Sequence, residues 1–121
     1  GILAQRLVRK LDLANAERYA ASPEEIERFD LRRLQPDGEI FLYRPRATAA
    51  APTGYLGRTT IVEFLVMNDE LRRAVMRRAG MGEIEQLARK SGMRTMYEDG
   101  LSKALRGETT IEEVLRVTED A

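Results

Sequence analysis

The spacing of apolar and polar residues divides this chain of 121 residues into three regions. Residues 1–35 carry mainly helix-like spacing, residues 36–66 carry strand-like alternation, and the rest returns to helical spacing. This order predicts an α+β fold in which short strands are followed by a bundle of short helices.

The first region is predicted to be mostly helical, with one short strand candidate. Its leading apolar residues fit one helical stripe: Leu3, Leu7, Val8 and Leu11. A strand over the same residues would turn Arg9 toward the core, which makes a strand the poorer fit. Further on, Ser22 can cap a helix and Glu25 can return a bond to the Ser22 amide, so a helix is predicted to start after Ser22.

The middle region is predicted to hold two strands. A turn signal at residues 36–38 precedes a short strand over 39–44, and the small residues 47–52 predict a flexible loop. Residues 58–66 alternate and are rich in β-branched side chains, which favours a strand. Because both faces of that strand are apolar, we expect it to lie inside a larger sheet or beneath a cover.

Three or four short helices are predicted between residues 67 and 119. Asn68 can cap a helix over 69–78, which Gly80 and Gly82 would end. Its expected apolar face consists of Leu71, Val75 and Met76. The next stripe consists of Ile84, Leu87 and Ala88 and is expected to end at Gly92.

Two capping boxes predict the last two helices. One runs from Thr95 to Glu98, with Gly107 as the stop signal of its helix, and the other runs from Thr109 to Glu112. Capping then accounts for the pair Glu112-Glu113 as a solvated first turn.

Composition narrows the function classes. Lys and Arg number 20, as do Asp and Glu, and this zero net charge argues against broad binding to nucleic acid. No apolar run reaches the roughly 20 residues that span a membrane. The chain has no Cys and no His, which excludes disulfides, the usual zinc ligands and the common nucleophilic triads. No GxxxxGK[ST] phosphate loop is present, so no catalytic residue is predicted.

Two groups of residues can be either structural or functional. The arginines of the 69–78 helix are expected to form a solvated face paired with Asp69 and Glu70, with contact to an acidic partner as the alternative. The methionines fall at helix joints, where most are expected to fill the core and an adaptable partner surface is the alternative.

Arg58 has a more particular setting. Gly54 and Gly57 bracket Tyr55 and predict a turn with unusual backbone angles just before the strand that begins at Arg58. A guanidinium leaving such a turn can bind a phosphate or carboxylate, or it can pin the turn to a nearby carboxylate or carbonyl. Both roles remain open from the residues alone.

The segment from Thr53 to Leu65, TGYLGRTTIVEFL, resembles part of the secretion ATPases that drive type II secretion and type IV pilus assembly. The resemblance also covers the opening ILAQRLVRKL, the stretch GMRTM and the blocks EDGLSKALRG and TTIEEVLRVT. It implies that residues 1–52 are the end of an ATPase core with a zinc-motif-like insertion, and that 53–121 are a strand with a C-terminal helical subdomain. The short antiparallel strands would form the edge of a RecA-like sheet in the parent.

The resemblance further implies a cytoplasmic hexamer at the inner membrane. The parent would use ATP and magnesium, bound upstream of Gly1, to move a pseudopilus through other subunits, a membrane platform and assembly proteins. This chain alone is then expected to be inactive. Of its residues, Arg58 is the candidate for contact with the nucleotide or a neighbouring subunit.

The related type II ATPases usually carry two CxxC pairs around a zinc-binding insertion. The corresponding places here hold Asp12, Asn15, Ala47 and Ala50, so the segment 12–52 is expected to fold without zinc. Its expected core comprises Ile26, Phe29, Leu31, Leu34, Phe41 and Tyr43. Two alternatives to a type II secretion ATPase remain, namely a pilus assembly ATPase and a free-standing helical interaction module.

Overall fold

The computed structural model describes residues 2–65, 67–90 and 93–118, and within these it omits the side chains of Ile2, Leu3 and Leu65. The α+β class is confirmed. The strands are β1 (Ile2–Leu11), β2 (Glu17–Ala20), β3 (Phe41–Arg44) and β4 (Tyr55–Leu65). The helices are α1 (Pro23–Arg28), α2 (Leu31–Leu34), α3 (Asp69–Met76), α4 (Met81–Lys90), α5 (Met96–Leu105) and α6 (Ile111–Thr118).

The helix expected at the start of the chain is wrong, because β1 occupies those residues and pairs with β4 in an antiparallel ribbon. Val8 is 1% exposed while the neighbouring Leu7 is 52% exposed, which is the alternation of a strand. Pairing along β4 therefore overrides the local helical spacing. Arg9 does not face an apolar core as expected, since it pairs with Glu113 instead.

Groups from the C-terminal region form hydrogen bonds with both outer edges of this ribbon. On the β4 side, the Val62 amide donates to Asp99 Oδ2 at 2.9 Å, and Lys103 donates to the Thr60 carbonyl. On the β1 side, the Leu11 amide donates to the Glu108 carbonyl at 2.9 Å. These bonds satisfy part of each strand edge without a further strand among the described residues.

The segment between β1 and β4 forms a second, smaller sheet from β2 and β3, with α1 and α2 between those strands. The capping box predicted at Ser22 and Glu25 is present, with bonds of 3.1 and 3.0 Å. The strand predicted over 39–44 is confirmed as β3, and Gly38 before it has a φ of +84°.

This segment packs against the C-terminal helices in one hydrophobic core. The buried members of that core are Leu31, Ile40, Leu42, Leu101, Ala104 and Ile111, and Ile26, Phe29 and Leu34 pack around them. The prediction that β3 buries Phe41 and Tyr43 is wrong, because Ile40 and Leu42 point inward. Both faces of β3 are apolar, so alternation alone could not choose, and stacking of Arg18 over Phe41 occupies the outer face.

Helices α3 and α4 form a hairpin. Asn68 caps α3 as predicted, with its side chain 2.7 Å from the Leu71 amide. The expected apolar face is only partly right, because Leu71 and Ala74 are buried while Val75 and Met76 are exposed. Gly82 does not break a helix, since it lies inside α4. The end expected for α4, Gly92, lies outside the described residues.

The last two helices cross closely, and only glycine fits at the crossing. A Cβ on Gly100 of α5 would lie 2.6 Å from the Val114 side chain of α6. The Thr95–Glu98 capping box and the stop at Gly107, with a φ of +80°, are confirmed. The second box is wrong by one residue, because the Thr110 hydroxyl accepts from the Glu113 amide at 3.2 Å and begins α6.

Candidate functional site

The glycine motif before β4 adopts the predicted unusual backbone. Gly54 and Gly57 have φ values of +82° and +79°. A Cβ on Gly54 would lie 2.6 Å from the Pro45 Cβ, so this glycine is required by space as well as by backbone angle. Gly57 lies where the β1–β4 register shifts: Arg9 pairs with Arg58 but Leu11 pairs with Tyr55. The motif therefore builds a bulge that ends the regular ribbon.

Arg58 lies directly opposite Arg9 at this end of the ribbon. The two arginines line a cleft of about 510 Å³ together with Leu7, Val8 and Arg116. Within the described part of the chain, the Arg58 side chain makes no hydrogen bond or ion pair, so the alternative in which it pins the turn has no contact to support it. Like charges across a strand pair repel each other, which leaves the Arg58 guanidinium available to an oxyanion.

Arg9 and Arg116, in contrast, are held by the carboxylate of Glu113. Arg9 Nη2 donates to Glu113 Oε2 at 2.9 Å, and the Arg9 amide donates to Oε1 at 2.8 Å. Arg116 adds bonds of 3.0 and 2.9 Å to the two oxygens. Glu113 is 2% exposed. Arg9, Glu113 and Arg116, called here the Glu113 cluster, connect β1 to the start of α6.

The aromatic residue of the motif supports this cluster. The Arg9 guanidinium lies 4.3 Å from the centre of the Tyr55 ring, a cation–π contact. The Tyr55 hydroxyl bonds the Thr110 hydroxyl at 2.9 Å, and Thr109 donates to the Arg9 carbonyl at 2.7 Å. Of the residues that precede α6, Thr109 thus holds Arg9 directly and Thr110 does so through Tyr55.

Electrostatics at the cluster favour the ionised carboxylate. Burial alone would raise the pKa of Glu113, but hydrogen bonds from Arg116 and Arg9 outweigh it and lower that pKa to about 2. The bond with Glu113 raises the pKa of both Arg9 and Arg116. Burial raises the pKa of Tyr55, and the bond with Thr110 partly opposes that shift.

Sequence reasoning missed Glu113, which it treated as part of a solvated first turn. Glu112 is exposed as expected, but Glu113 is buried and serves β1. The available signal was the choice of cap: with Thr110 rather than Thr109 as the cap, Glu113 becomes the third residue of the helix. Nothing in the local pattern indicated that its partner lies about a hundred residues away in β1.

The four places that correspond to zinc-binding cysteines lie in two turns. Asn15 donates its side-chain amide to Asp12 Oδ2 at 2.9 Å, while Ala47 and Ala50 are exposed in the loop before β4. The Asp12 amide donates to the Gly54 carbonyl at 3.1 Å, so the two turns are joined through backbone. Over residues 2–65, 67–90 and 93–118, no three acidic side chains are grouped to hold a metal ion.

The basic helix differs from its expected pairing. Arg72 pairs with Asp69 at 3.1 Å as predicted, whereas Arg77 pairs with Glu83 of α4. Two methionines expected in the core, Met76 and Met81, are 77% and 81% exposed. None of the helices, as far as the structure describes them, has the length and apolar character needed to cross a bilayer.

Comparison with known proteins identifies relatives over nearly the whole chain. The family model described as "Type II/IV secretion system protein" matches residues 1–116. The type IV pilus assembly ATPase PilB of Thermus thermophilus is 40% identical over 118 residues, covering 98% of this chain and 13% of that protein. The type II secretion system ATPase E of Vibrio cholerae is 37% identical over 122 residues, covering 100% of this chain and 24% of that protein.

A third relative, the type II secretion system protein E of Pseudomonas aeruginosa, is 40% identical over 121 residues. The match covers 99% of this chain and 23% of that protein. The chain spans at most about a quarter of the length of these relatives. It belongs to the family of type II/IV secretion system proteins.

Proposed function

We propose that this chain is the C-terminal part of a hexameric, cytoplasmic ATPase that powers type II secretion. The parent would couple ATP hydrolysis to an inner-membrane platform and so drive assembly of a pseudopilus. Family membership supports the role in secretion, and the names of the relatives include ATPases of both secretion and pilus assembly. The exposed face of the β1–β4 ribbon, where Leu7 and Phe64 are 52% and 49% exposed, fits a strand pair that more of the parent covers.

The proposal assigns a functional role to Arg58, because its guanidinium has no partner among the described residues. It lies at the cleft shared with Arg9 and Arg116, whose charges the carboxylate of Glu113 already balances in part. We assign Arg58 to an oxyanion outside this chain, either a phosphate oxygen of the nucleotide or a carboxylate of a neighbouring subunit. Both ligands present the planar or tetrahedral oxygens that a guanidinium binds well.

The donors present here fit a single contact to ATP rather than its whole site. The cleft offers guanidiniums and two aliphatic side chains, without a glycine-rich loop to surround phosphates. It also offers no group of carboxylates for magnesium among the described residues. In the proposal, residues upstream in the parent therefore bind ATP and magnesium and perform the hydrolysis. Arg58 contributes one contact to an oxyanion.

Substitution of Arg58 tests this role. In the full-length parent, Arg58→Ala should lower ATP turnover about tenfold or more, because a charge-assisted hydrogen bond contributes roughly 1.5–3 kcal/mol. The melting temperature of the 121-residue chain should not fall, since the Arg58 side chain has no bond to lose within the described residues and its charge opposes that of Arg9. Steady-state ATPase assays and thermal denaturation measure the two effects.

Arg32→Ala is a matched control, because Arg32 is also exposed but bonds only the nearby Gly38 and Gln35 carbonyls. It should leave turnover unchanged. Wild-type turnover per folded subunit in Arg58→Ala would end the assignment. A fall in melting temperature that tracks the fall in turnover would make Arg58 a structural residue instead.

A second candidate function is pilus assembly. The pilus ATPase of Thermus thermophilus and the secretion protein of Pseudomonas aeruginosa are equally similar to this chain, at 40% identity each. Complementation of a secretion-deficient and a pilus-deficient strain by the full-length parent separates these functions. A free-standing interaction module would be supported instead if no Walker motif precedes the chain in the same reading frame.

A further inference from the structure

We propose that a cavity between the smaller sheet and α6 binds an organic cation, namely a guanidinium or ammonium group on an aliphatic stem. The cavity has a volume of about 300 Å³ and is lined by residues of β2, α1, β3, α5 and α6. It shares no lining residue with the Arg58 cleft, and the proposal does not depend on the proposed function. Its basis is a set of apolar walls beside two carboxylates that have no cationic partner among the described residues.

The walls of the cavity suit the stem of such a ligand. Most of the lining side chains are apolar, and the largest of these are Tyr19, Phe29, Leu42, Tyr43, Ile111 and Leu115. A cavity of this size, with mainly apolar walls and a few polar groups, is typical of sites that bind small ligands. The aromatic rings also favour a cation, because the face of an aromatic ring attracts positive charge.

Glu112 supplies a carboxylate without a partner. It is an exposed residue in the first turn of α6, and its side chain has no hydrogen bond or ion pair with any residue that the structure describes. The neighbouring Glu113 takes both Arg9 and Arg116. The Thr110 hydroxyl caps α6, so the side chain of Glu112 is not needed to begin the helix.

Glu25 supplies a second negative charge, and its hydrogen bonds come from neutral groups. Its Oε1 accepts from the Ser22 amide at 3.0 Å, and its Oε2 accepts from the Tyr19 hydroxyl at 3.2 Å. The bond from the Ser22 amide lowers the pKa of Glu25, which is therefore ionised at neutral pH. Burial raises the pKa of Tyr19 to about 12, and the charges of Glu25 and Glu112 add to that rise. The Tyr19 hydroxyl thus lies in the negative potential of both carboxylates.

Arg28 is the one basic residue among the described residues that line the cavity. Its guanidinium lies 5.1 Å from the centre of the Phe29 ring, and it forms no ion pair with Glu25 or Glu112. An anion in the cavity would meet two carboxylates, whereas a cation meets one guanidinium. The balance of charge therefore favours a cation.

Titration of the isotope-labelled 121-residue chain with blocked amino acids, followed by NMR, tests the proposal. N-acetyl-arginine methylamide and N-acetyl-lysine methylamide present the cation on its stem, the norleucine analogue presents the stem alone, and the glutamate analogue reverses the charge. The two cationic probes should shift the amide signals of residues at the cavity, such as Tyr19, Tyr43 and Glu112. They should bind more tightly than the other two, and their binding should weaken as salt rises. The guanidinium ion without a stem should bind more weakly than the arginine probe.

Two substitutions at the cavity should have opposite effects. Glu112→Gln removes the carboxylate without a partner and should weaken binding of the arginine probe about two- to fivefold. Arg28→Gln removes the opposing charge and should strengthen that binding by a similar factor. Glu70→Gln and Arg73→Gln are matched controls, because they change exposed charges of α3 outside the cavity and should leave the affinity unchanged. Circular dichroism confirms that each variant is folded.

A further comparison of ligands identifies the source of the cation. Propylguanidinium has the cation and stem of arginine without the two amide groups of a peptide chain. Tighter binding of the arginine probe than of propylguanidinium assigns the cavity to a side chain of a partner protein. Equal or tighter binding of propylguanidinium assigns it to a free small cation.

Other outcomes would overturn the proposal. They are an absence of shifts at the cavity at the highest soluble probe concentration, equal affinity for the norleucine analogue, or a preference for the glutamate analogue. Changes of the same sign in Glu112→Gln and Arg28→Gln would also overturn it, because the charge of the ligand would then not determine its binding.

Discussion

The Glu113 cluster and the α3–α4 hairpin use the same residue types under opposite conditions. In the cluster the carboxylate of Glu113 is 2% exposed and receives bonds from two arginines and a backbone amide. In the hairpin Glu83 pairs with Arg77 while its side chain is 46% exposed. Burial of the carboxylate, rather than the presence of an ion pair, therefore decides how much such a pair contributes to stability.

The two regions also differ in whether their charged side chains are free to bind other molecules. The Glu113 cluster uses its charges internally, to join β1 to α6. The hairpin, together with Arg58, keeps guanidiniums without described partners at the surface. We therefore expect substitutions in the cluster to change stability and those at the surface to change interactions.

The largest expected effect is that of Glu113→Ala. It should lower the free energy of unfolding by about 3 kcal/mol, near the lower end for a broken buried pair, because the two half-exposed arginines can be rehydrated. Glu83→Ala, the matched change in the hairpin, should cost less than about 1 kcal/mol. Urea denaturation of both variants measures the contrast, and equal losses would contradict it.

In the wild-type chain, acid should protonate Glu113 and so remove a similar amount of stabilisation as Glu113→Ala does. The pKa of Glu113 lies at about 2 in the folded state, below its ordinary value of 4.5, so the unfolded chain takes up the proton more readily. The stabilisation is complete above about pH 5 and is lost as the pH falls toward 2, which amounts to about 2–3 kcal/mol.

The Glu113→Gln variant isolates this contribution from those of other carboxylates. Its stability should fall less steeply between pH 5 and pH 2 than that of the wild type, as measured by urea denaturation at several pH values. Parallel pH profiles in the two proteins would show that Glu113 is not held ionised by the arginines.

Glycine-to-alanine substitutions should have opposite effects on stability in the turn before β4 and in the α3–α4 hairpin. Gly54→Ala should cost about 2 kcal/mol, because the added Cβ meets Pro45 and the φ of +82° is strained for alanine. Gly82→Ala in α4 meets open space and should stabilise the chain by up to about 1 kcal/mol through helix propensity. Thermal denaturation reveals both shifts, and destabilisation by Gly82→Ala would place an unrecognised constraint in the hairpin.

The smallest expected effect is that of a metal chelator. The loops that hold Asp12, Asn15, Ala47 and Ala50 are joined by backbone bonds, and the segment packs into the shared core. EDTA should therefore leave the unfolding of both regions unchanged, and elemental analysis should find no stoichiometric zinc. A large loss of melting temperature on chelation would show that other residues have taken over the metal site.

Local signals predicted the elements whose ends are fixed by their own residues. The caps at Ser22, Asn68 and Thr95 were identified correctly because each bonds an amide three residues away. The conformations of Gly54 and Gly57 were also predictable, since few other residues adopt a positive φ. The role of Arg58 stays a prediction, as does the boundary proposed after residue 52.

The errors fall where two faces of an element looked alike. Helical spacing at the start of the chain gave way to β1, and β3 buries Leu42 rather than Phe41. In α3 the small Ala74 is buried while Val75 and Met76 are exposed. For β1 and β3 the neighbour that covers one face is distant in sequence, and for α3 it is the next helix, so in each case spacing within the element could not select the buried face.

By itself the sequence determined three of the helix caps, the glycine turn, the absence of cysteine ligands for a metal and the family. Each of these depends on residue type or on bonds that span a few positions. The tertiary structure alone decided that Glu113 is buried, that it holds Arg9 and Arg116, and that the Arg58 side chain has no partner among the described residues. Pairing of charges across a hundred residues depends on which surfaces the folded chain brings together, and no local pattern records that.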